Sequence, residues 1–93
     1  MEIFYTEQPV IRHITLLALN LRMTSTERHA IRAAEATDPE VSDLMYLMSK
    51  ARYINLDDAM VIAGMNALET KTLIAAGRAD EILSADVQPG EVG

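Results

Sequence analysis

The sequence has no cysteine and no tryptophan, and only four of its 93 residues are aromatic: Phe4, Tyr5, Tyr46 and Tyr53. Without cysteine the chain can form no disulfide, Cys-ligated zinc site, iron–sulfur cluster or thiol nucleophile. So few aromatic rings leave little for base stacking or for the anchors common at interfaces. A chain of this length buries only about 60 to 65% of its unfolded surface, so we expect one small domain that depends on packing, helix caps or a partner chain.

Acidic residues outnumber basic ones, with fourteen Asp and Glu against eight Lys and Arg, for a formal charge of −6. This balance argues against binding a phosphate backbone, so we expect no nucleic-acid partner. Residues 1–34 carry a net charge of +1 and residues 35–93 a net charge of −7. A chain divided in this way could stack head to tail with its own copies, although solvated acidic helix faces explain the same composition.

No catalytic or metal-binding motif is present. His13 and His29 fall on different predicted helices, and the adjacent Asp57 and Asp58 suit a helix cap as well as a hard cation. The serines lack a partner histidine and acid in any known arrangement, and there is no glycine-rich phosphate loop. We therefore predict no catalytic residue, no metal and no cofactor. A small enzyme would require His13 and His29 to meet.

The most hydrophobic segment runs from Val10 to Met23, but polar residues interrupt it. Its apolar runs are far shorter than the roughly 18 to 20 residues needed to span a bilayer. The chain begins Met1-Glu2 rather than with the basic start of a secretory signal. We expect neither a membrane segment nor a signal peptide.

Hydrophobic periodicity and capping residues predict an all-α fold, a compact bundle of four to five short helices. We expect an extended N-terminal arm over residues 1–8, a helical domain over 9–84 and a flexible tail over 85–93. The predicted helices run from Pro9 to about Met23, Thr24 to about Ala36, Pro39 to Arg52, Asp58 to Thr70 and Ala76 to Ser84. Their capping residues are Thr24 with Glu27, Asp38 and the Asp57-Asp58 pair.

The first helix carries more apolar surface than a small bundle needs. Its main stripe is predicted to face inward and contains Val10, Ile11, Ile14, Leu17, Ala18 and Leu21. The remaining apolar residues of this helix and of the arm are predicted to bind a partner: Ile3, Phe4, Tyr5, Leu16, Leu19 and Met23. The alternative is that helix one runs through the middle of the bundle.

Methionines at helical spacing form a second feature of interest, namely Met45, Met48, Met60 and Met65. They fit either core filling or an adaptable partner-binding groove. Gly64, inside the fourth helix, indicates a close contact between helices.

Several segments carry a resemblance to a known group of proteins. They are Thr26-Glu27-Arg28, Ile31-Arg32-Ala33-Ala34, Asp38-Pro39-Glu40-Val41, Asp43-Leu44, Tyr53-Ile54-Asn55-Leu56-Asp57-Asp58, Ile62-Ala63-Gly64, Ala67-Leu68-Glu69 and Gly77-Arg78-Ala79-Asp80-Glu81-Ile82-Leu83. Over about residues 24–83 the chain resembles small uncharacterised proteins of tailed bacteriophages and prophages, encoded near structural (tail) genes.

The resemblance implies a non-enzymatic virion or assembly component, such as a minor tail, connector or decoration protein. Such a protein is assembled in the bacterial host cytoplasm and contacts other phage structural proteins or copies of itself, as a homo-oligomer. The alternative is an acidic phage inhibitor that binds a host nucleic-acid-handling protein through its acidic helix faces, built from Glu35, Glu40, Asp43, Asp57 and Asp58.

Overall fold

The computed structural model describes residues 12–92 of the protein. Two short strands, five α-helices and a final 3₁₀ helix follow one another within this range. They are β1 (His13–Ile14), α1 (Leu16–Leu21), α2 (Ser25–Glu35), α3 (Pro39–Lys50), β2 (Ile54–Asn55), α4 (Ala59–Thr70), α5 (Arg78–Ser84) and the 3₁₀ helix Pro89–Val92. The predicted arm over residues 1–8, the start of helix one at Pro9 and the candidate residues Ile3, Phe4 and Tyr5 lie outside the described residues.

The all-α prediction is confirmed, since the only sheet within residues 12–92 is the pair β1–β2. These strands are antiparallel, with His13 opposite Asn55 and Ile14 opposite Ile54. Strand β2 therefore lies in the segment between α3 and α4. The small sheet joins the start of the described chain to the turn between α3 and α4.

The capping residues read from the sequence begin three of the helices. Thr24 and Glu27 form a complete capping box at α2. The Asp38 carboxylate accepts hydrogen bonds from the N–H groups of Glu40 and Val41 at α3, and Asp58 accepts one from Met60 at α4. The fifth helix begins at Arg78 rather than Ala76, because Gly77 takes a left-handed φ of 87°.

The first helix differs from its prediction. Helix α1 covers only Leu16–Leu21. Ile14 lies in a strand, so the helical spacing of apolar residues does not extend through Ile14. Thr15 caps the helix by accepting a hydrogen bond from the Ala18 N–H at 3.0 Å. The predicted inward face is therefore only partly right. Ile14 and Ala18 are buried as predicted, but Leu17 and Leu21, also predicted to face inward, are exposed, and Leu19 and Met23 are buried.

The core draws apolar side chains from every α-helix and both strands, and no polar residue within 12–92 is fully buried. Helix α2 contributes only Ile31 to the buried set, because the other apolar residues of this helix are alanines. The core residues are Ile14, Ala18, Leu19, Met23, Ile31, Val41, Met48, Ile54, Leu56, Val61, Met65, Leu68, Ile74, Ala79, Ile82 and Leu83.

An ion pair between α2 and α5, which we call the α2–α5 ion pair, compensates for the small apolar area that α2 buries. Glu27 accepts hydrogen bonds from Arg78 Nε at 2.7 Å and Nη2 at 2.8 Å, while it also caps α2. The Arg78 guanidinium, with the Thr24 N–H, lowers the pKa of Glu27 to about 2. A charged contact therefore holds α2 where apolar contact is scarce.

Residues 85–92, predicted as a flexible tail, fold back against α1 in the structure. The Arg22 side chain donates to the Glu91 carboxylate from Nε at 2.7 Å and Nη2 at 2.8 Å. It also donates from Nη1 to the carbonyls of Ile82 at 2.6 Å and Ala85 at 3.0 Å. The Thr15 N–H donates to the Glu91 carbonyl at 2.9 Å. Because these contacts are hydrogen bonds between polar groups, the spacing of hydrophobic residues in the sequence does not predict them.

Candidate interaction surface

An apolar groove lies between α3 and α4. It contains two neighbouring cavities, of about 240 Å³ and 110 Å³, and Leu44, Leu47 and Met60 line both. We call this surface the α3/α4 groove. Met60 is 59% exposed and Leu47 is 43% exposed. Two large apolar side chains thus remain in water on either side of one groove.

The close approach of α3 to α4 depends on Gly64. The Leu44 side chain lies over this glycine, and a Cβ atom added there would be 2.6 Å from Leu44 Cδ1. The sequence-based expectation that Gly64 permits a close helix contact is thereby confirmed. A larger residue at position 64 would push Leu44 out of its place in the groove.

The rim of the groove is acidic. Glu40, Asp43 and Asp58 line its cavities together with one cation, Lys71. Lys71 Nζ is 2.8 Å from Asp38 Oδ2 and 2.8 Å from Glu40 Oε1. The Lys71 ammonium lowers the pKa of the Asp38 carboxyl, and the two carboxylates raise the pKa of Lys71. Lys71 follows α4 and Asp38 precedes α3, so this pair joins the two helices at one end of the groove.

A second exposed apolar surface lies on α1. Leu17 is 68% exposed and Leu21 is 66% exposed, one helical turn further along. We call these two side chains the α1 ridge. They border a shallow cavity of about 280 Å³ that is also lined by Arg22, Gly90 and Glu91. The bonds between Arg22 and the C-terminal segment therefore lie directly beside the ridge.

The partner-binding residues predicted in the first helix are placed differently from their prediction. Leu19 and Met23 belong to the core, which corrects the expectation that they face a partner, and Leu16 packs partly buried against that core. The alternative reading, in which helix one runs through the bundle, describes Leu19 and Met23 better. Leu17 and Leu21 are the exposed pair.

Core filling describes three of the four methionines singled out in the sequence. Met48 and Met65 are core residues, Met45 packs partly buried against the core, and Met60 is exposed in the α3/α4 groove.

The two histidines occupy unrelated positions. The His13 ring stacks on Tyr53, with centroids 5.8 Å apart and an interplanar angle of 16°, whereas His29 is exposed on α2. Within residues 12–92, no group of three or more His, Asp or Glu side chains is arranged to hold a metal ion. No helix in this part of the chain is both long enough and apolar enough to cross a bilayer.

Sequence reasoning missed Leu17, Leu21 and Leu47 as exposed residues, and it missed Glu91 as an ion-pair partner. One signal for the ridge was available: Thr15 is a good N-cap, and a helix that begins at Leu16 need not keep the period set by Val10 and Ile14. No comparable local signal exists for Glu91, because its partner Arg22 is distant in sequence.

Comparison of the chain with protein-family models, with curated proteins and with solved structures gives no match.

Proposed function

We propose that this protein acts without catalysis, by protein–protein contact, as a structural or assembly component of a tailed-phage particle. The phage assignment rests on the sequence resemblance over residues 24–83. The contact role is supported by one observation above all, the α3/α4 groove with Leu47 and Met60 exposed at its sides. A minor tail, connector or decoration protein needs such a surface and needs no active site.

The free energy available from the groove is modest but useful. Complete burial of a Leu or Met side chain contributes roughly 1.5 to 3 kcal/mol. Leu47 and Met60 are about half exposed, so covering each one would contribute about 1 kcal/mol. Two residues alone cannot hold a partner tightly, and a component present in several copies gains strength from repeated contacts.

The proposal is tested by mass spectrometry of purified particles from the phage or prophage that encodes this chain. The protein should be present in the particles, and Met60→Gln should reduce its incorporation. Glutamine suits this substitution because it is unbranched and favours helix as methionine does.

The matched control is Ile62→Gln, on the same helix. Ile62 is exposed on α4 and lines neither cavity of the groove, so its variant should be incorporated normally. Absence of the protein from purified particles, or equal incorporation of the two variants, would contradict the proposal.

The second candidate function is an inhibitor that occupies the nucleic-acid groove of a host protein. The acidic rim favours it, because Glu40, Asp43 and Asp58 flank apolar side chains. Part of the predicted acidic surface is already paired within the chain, Glu40 with Lys71 and Asp57 with Arg12. This candidate predicts that the protein captures a DNA-handling host protein. Salt and competing DNA should each release that host protein, and the Asp43→Asn variant should bind it less well.

A further inference from the structure

We infer that the occupant of the α3/α4 groove is a second copy of this chain, which inserts its α1 ridge there. This inference rests on the proposed function, in which the groove is a contact surface. The contact is head to tail, because no residue lines both the groove and the cavity beside the ridge. Each copy would then offer a ridge to one neighbour and a groove to the next.

The two surfaces match in chemistry, since both expose apolar side chains. Leu17 and Leu21 are spaced by one helical turn, which places their Cβ atoms about 6 Å apart on one face of α1. The groove offers two neighbouring apolar cavities that share Leu44 in their linings. A contact between the leucine pair and these cavities would cover Leu17, Leu21, Leu47 and Met60, which are all exposed.

The ridge is held rigidly, which lowers the entropic cost of docking it. Thr15 caps the start of α1, and Arg22 anchors its end to the C-terminal segment. The Arg22 side chain is only 8% exposed. Leu17 and Leu21 therefore project from a helix that is tied at both ends.

The distribution of charge favours this pairing over two rival arrangements. The charged side chains beside the ridge, Arg22 and Glu91, neutralise each other, whereas Glu40, Asp43 and Asp58 outnumber the one lysine in the lining of the groove. Packing groove against groove would bring Glu40, Asp43 and Asp58 opposite the same acids of the other copy. Residues 1–11 are a weaker occupant because they carry Glu2 and Glu7 and no Lys or Arg.

A contact between two different surfaces of one protein is heterologous, so it either closes into a ring or extends as a filament. Both outcomes suit a component that is repeated in a particle. The geometry also predicts how two variants would behave when mixed. A copy without a ridge can still bind the ridge of another copy in its groove, and a copy without a groove can still insert its ridge into another copy.

The first test measures association by sedimentation velocity over a wide concentration range. The wild-type protein should form oligomers larger than dimers. A ridge variant, Leu17→Gln with Leu21→Gln, and a groove variant, Leu47→Gln with Met60→Gln, should each weaken self-association at least tenfold. A mixture of the two variants should form a 1:1 dimer that grows no further. Ile62→Gln should associate as the wild type does, and circular dichroism should show unchanged helix content in every variant.

The second test locates the contact, and the absence of natural cysteine makes it selective. Leu21→Cys and Met60→Cys chains are mixed and oxidised. The inference predicts that the mixed disulfide forms in preference to either symmetric one. Predominance of a symmetric disulfide, or a mixture of ridge and groove variants that stays monomeric, would overturn it.

These outcomes separate the inference from the proposed function. Suppose that the wild-type protein is strictly monomeric at the highest concentration and that Met60→Gln still lowers incorporation into particles. The inference is then wrong, and the proposed function stands. If that protein is monomeric and Met60→Gln is incorporated normally, both the inference and the proposed function are wrong.

Discussion

Glu91 is the residue whose substitution best tests how the C-terminal segment is held. Glu91→Gln keeps the size of the side chain and removes the charge that faces Arg22. The two side chains are 17% and 8% exposed, respectively, and Arg22 donates to the carboxylate from two nitrogens, at 2.7 and 2.8 Å. The variant leaves the Arg22 guanidinium with backbone carbonyls as its remaining partners, including those of Ile82 and Ala85.

The expected loss of stability follows from the pKa of Glu91. Its bonds with the Arg22 guanidinium, together with the Gln88 N–H, lower this pKa from 4.5 to about 2. Such a difference corresponds to about 3 kcal/mol if solvent has no access to the pair. Since both side chains keep some exposure, we expect Glu91→Gln to lower the free energy of unfolding by about 2 kcal/mol.

The loss should depend on pH with a definite sign. A depressed carboxyl pKa stabilises the folded state above the ordinary value of 4.5, and the stabilisation disappears as pH falls through about 2. The difference between wild type and variant should therefore be constant near neutral pH. It should shrink between about pH 4.5 and pH 2, where Glu91 becomes protonated and resembles glutamine.

Urea denaturation followed by circular dichroism, repeated across this pH range, measures the effect. Glu81→Gln is the matched control, because Glu81 also pairs with an arginine, Arg78 at 3.0 Å, but is 65% exposed. It should cost less than about 0.5 kcal/mol. If the two variants lowered the free energy of unfolding equally, or if the Glu91 effect did not change with pH, the ion pair between Arg22 and Glu91 would be refuted.

Three further predictions concern the helix ends. Glu27→Gln keeps an oxygen that can cap α2 but removes the carboxylate charge that faces Arg78, so urea denaturation at neutral pH should show a loss of about 1 to 2 kcal/mol, which shrinks as pH falls from about 4.5 to 2. Thr72→Gly should raise the melting temperature, because Thr72 has a left-handed φ of 61° at the end of α4 and glycine adopts this conformation with less strain; a lower melting temperature would contradict this reading. Lys71→Met should raise the pKa of Asp38 toward its ordinary value, as measured by an NMR titration, and an unchanged Asp38 pKa would show that Lys71 does not pair with it in solution.

Local signals predicted α2, α3 and α4 well because each signal acts within one or two helical turns. The Thr24–Glu27 capping box, the Asp38-Pro39 start and the Asp58 cap are all satisfied by neighbouring backbone groups. The same reasoning extended the first helix too far, because the apolar period continues through Ile14 although that residue pairs with Ile54. A pairing between strands forty residues apart cannot be predicted from the residues next to either strand.

The candidate surface was only partly predictable for the same reason. The sequence indicated surplus apolar area in the first helix, and the burial of Leu19 beside the exposure of Leu17 decided which side chains carry it. Met60 belonged to a set of methionines with two interpretations, and its exposure shows that core filling does not describe this residue. Periodicity determines which residues share a face and does not determine which face meets the core.

By itself the sequence determined the helical class, three helix starts and the division of charge between the two halves, since all of these depend on composition or on groups close along the chain. Only the tertiary structure decided the short α1, the return of residues 85–92 to Arg22, the approach of Leu44 to Gly64 and the presence of both an exposed leucine pair and an acidic-rimmed groove on one molecule. These features join residues far apart in the chain, and their positions are set by the packing of whole elements rather than by any local preference.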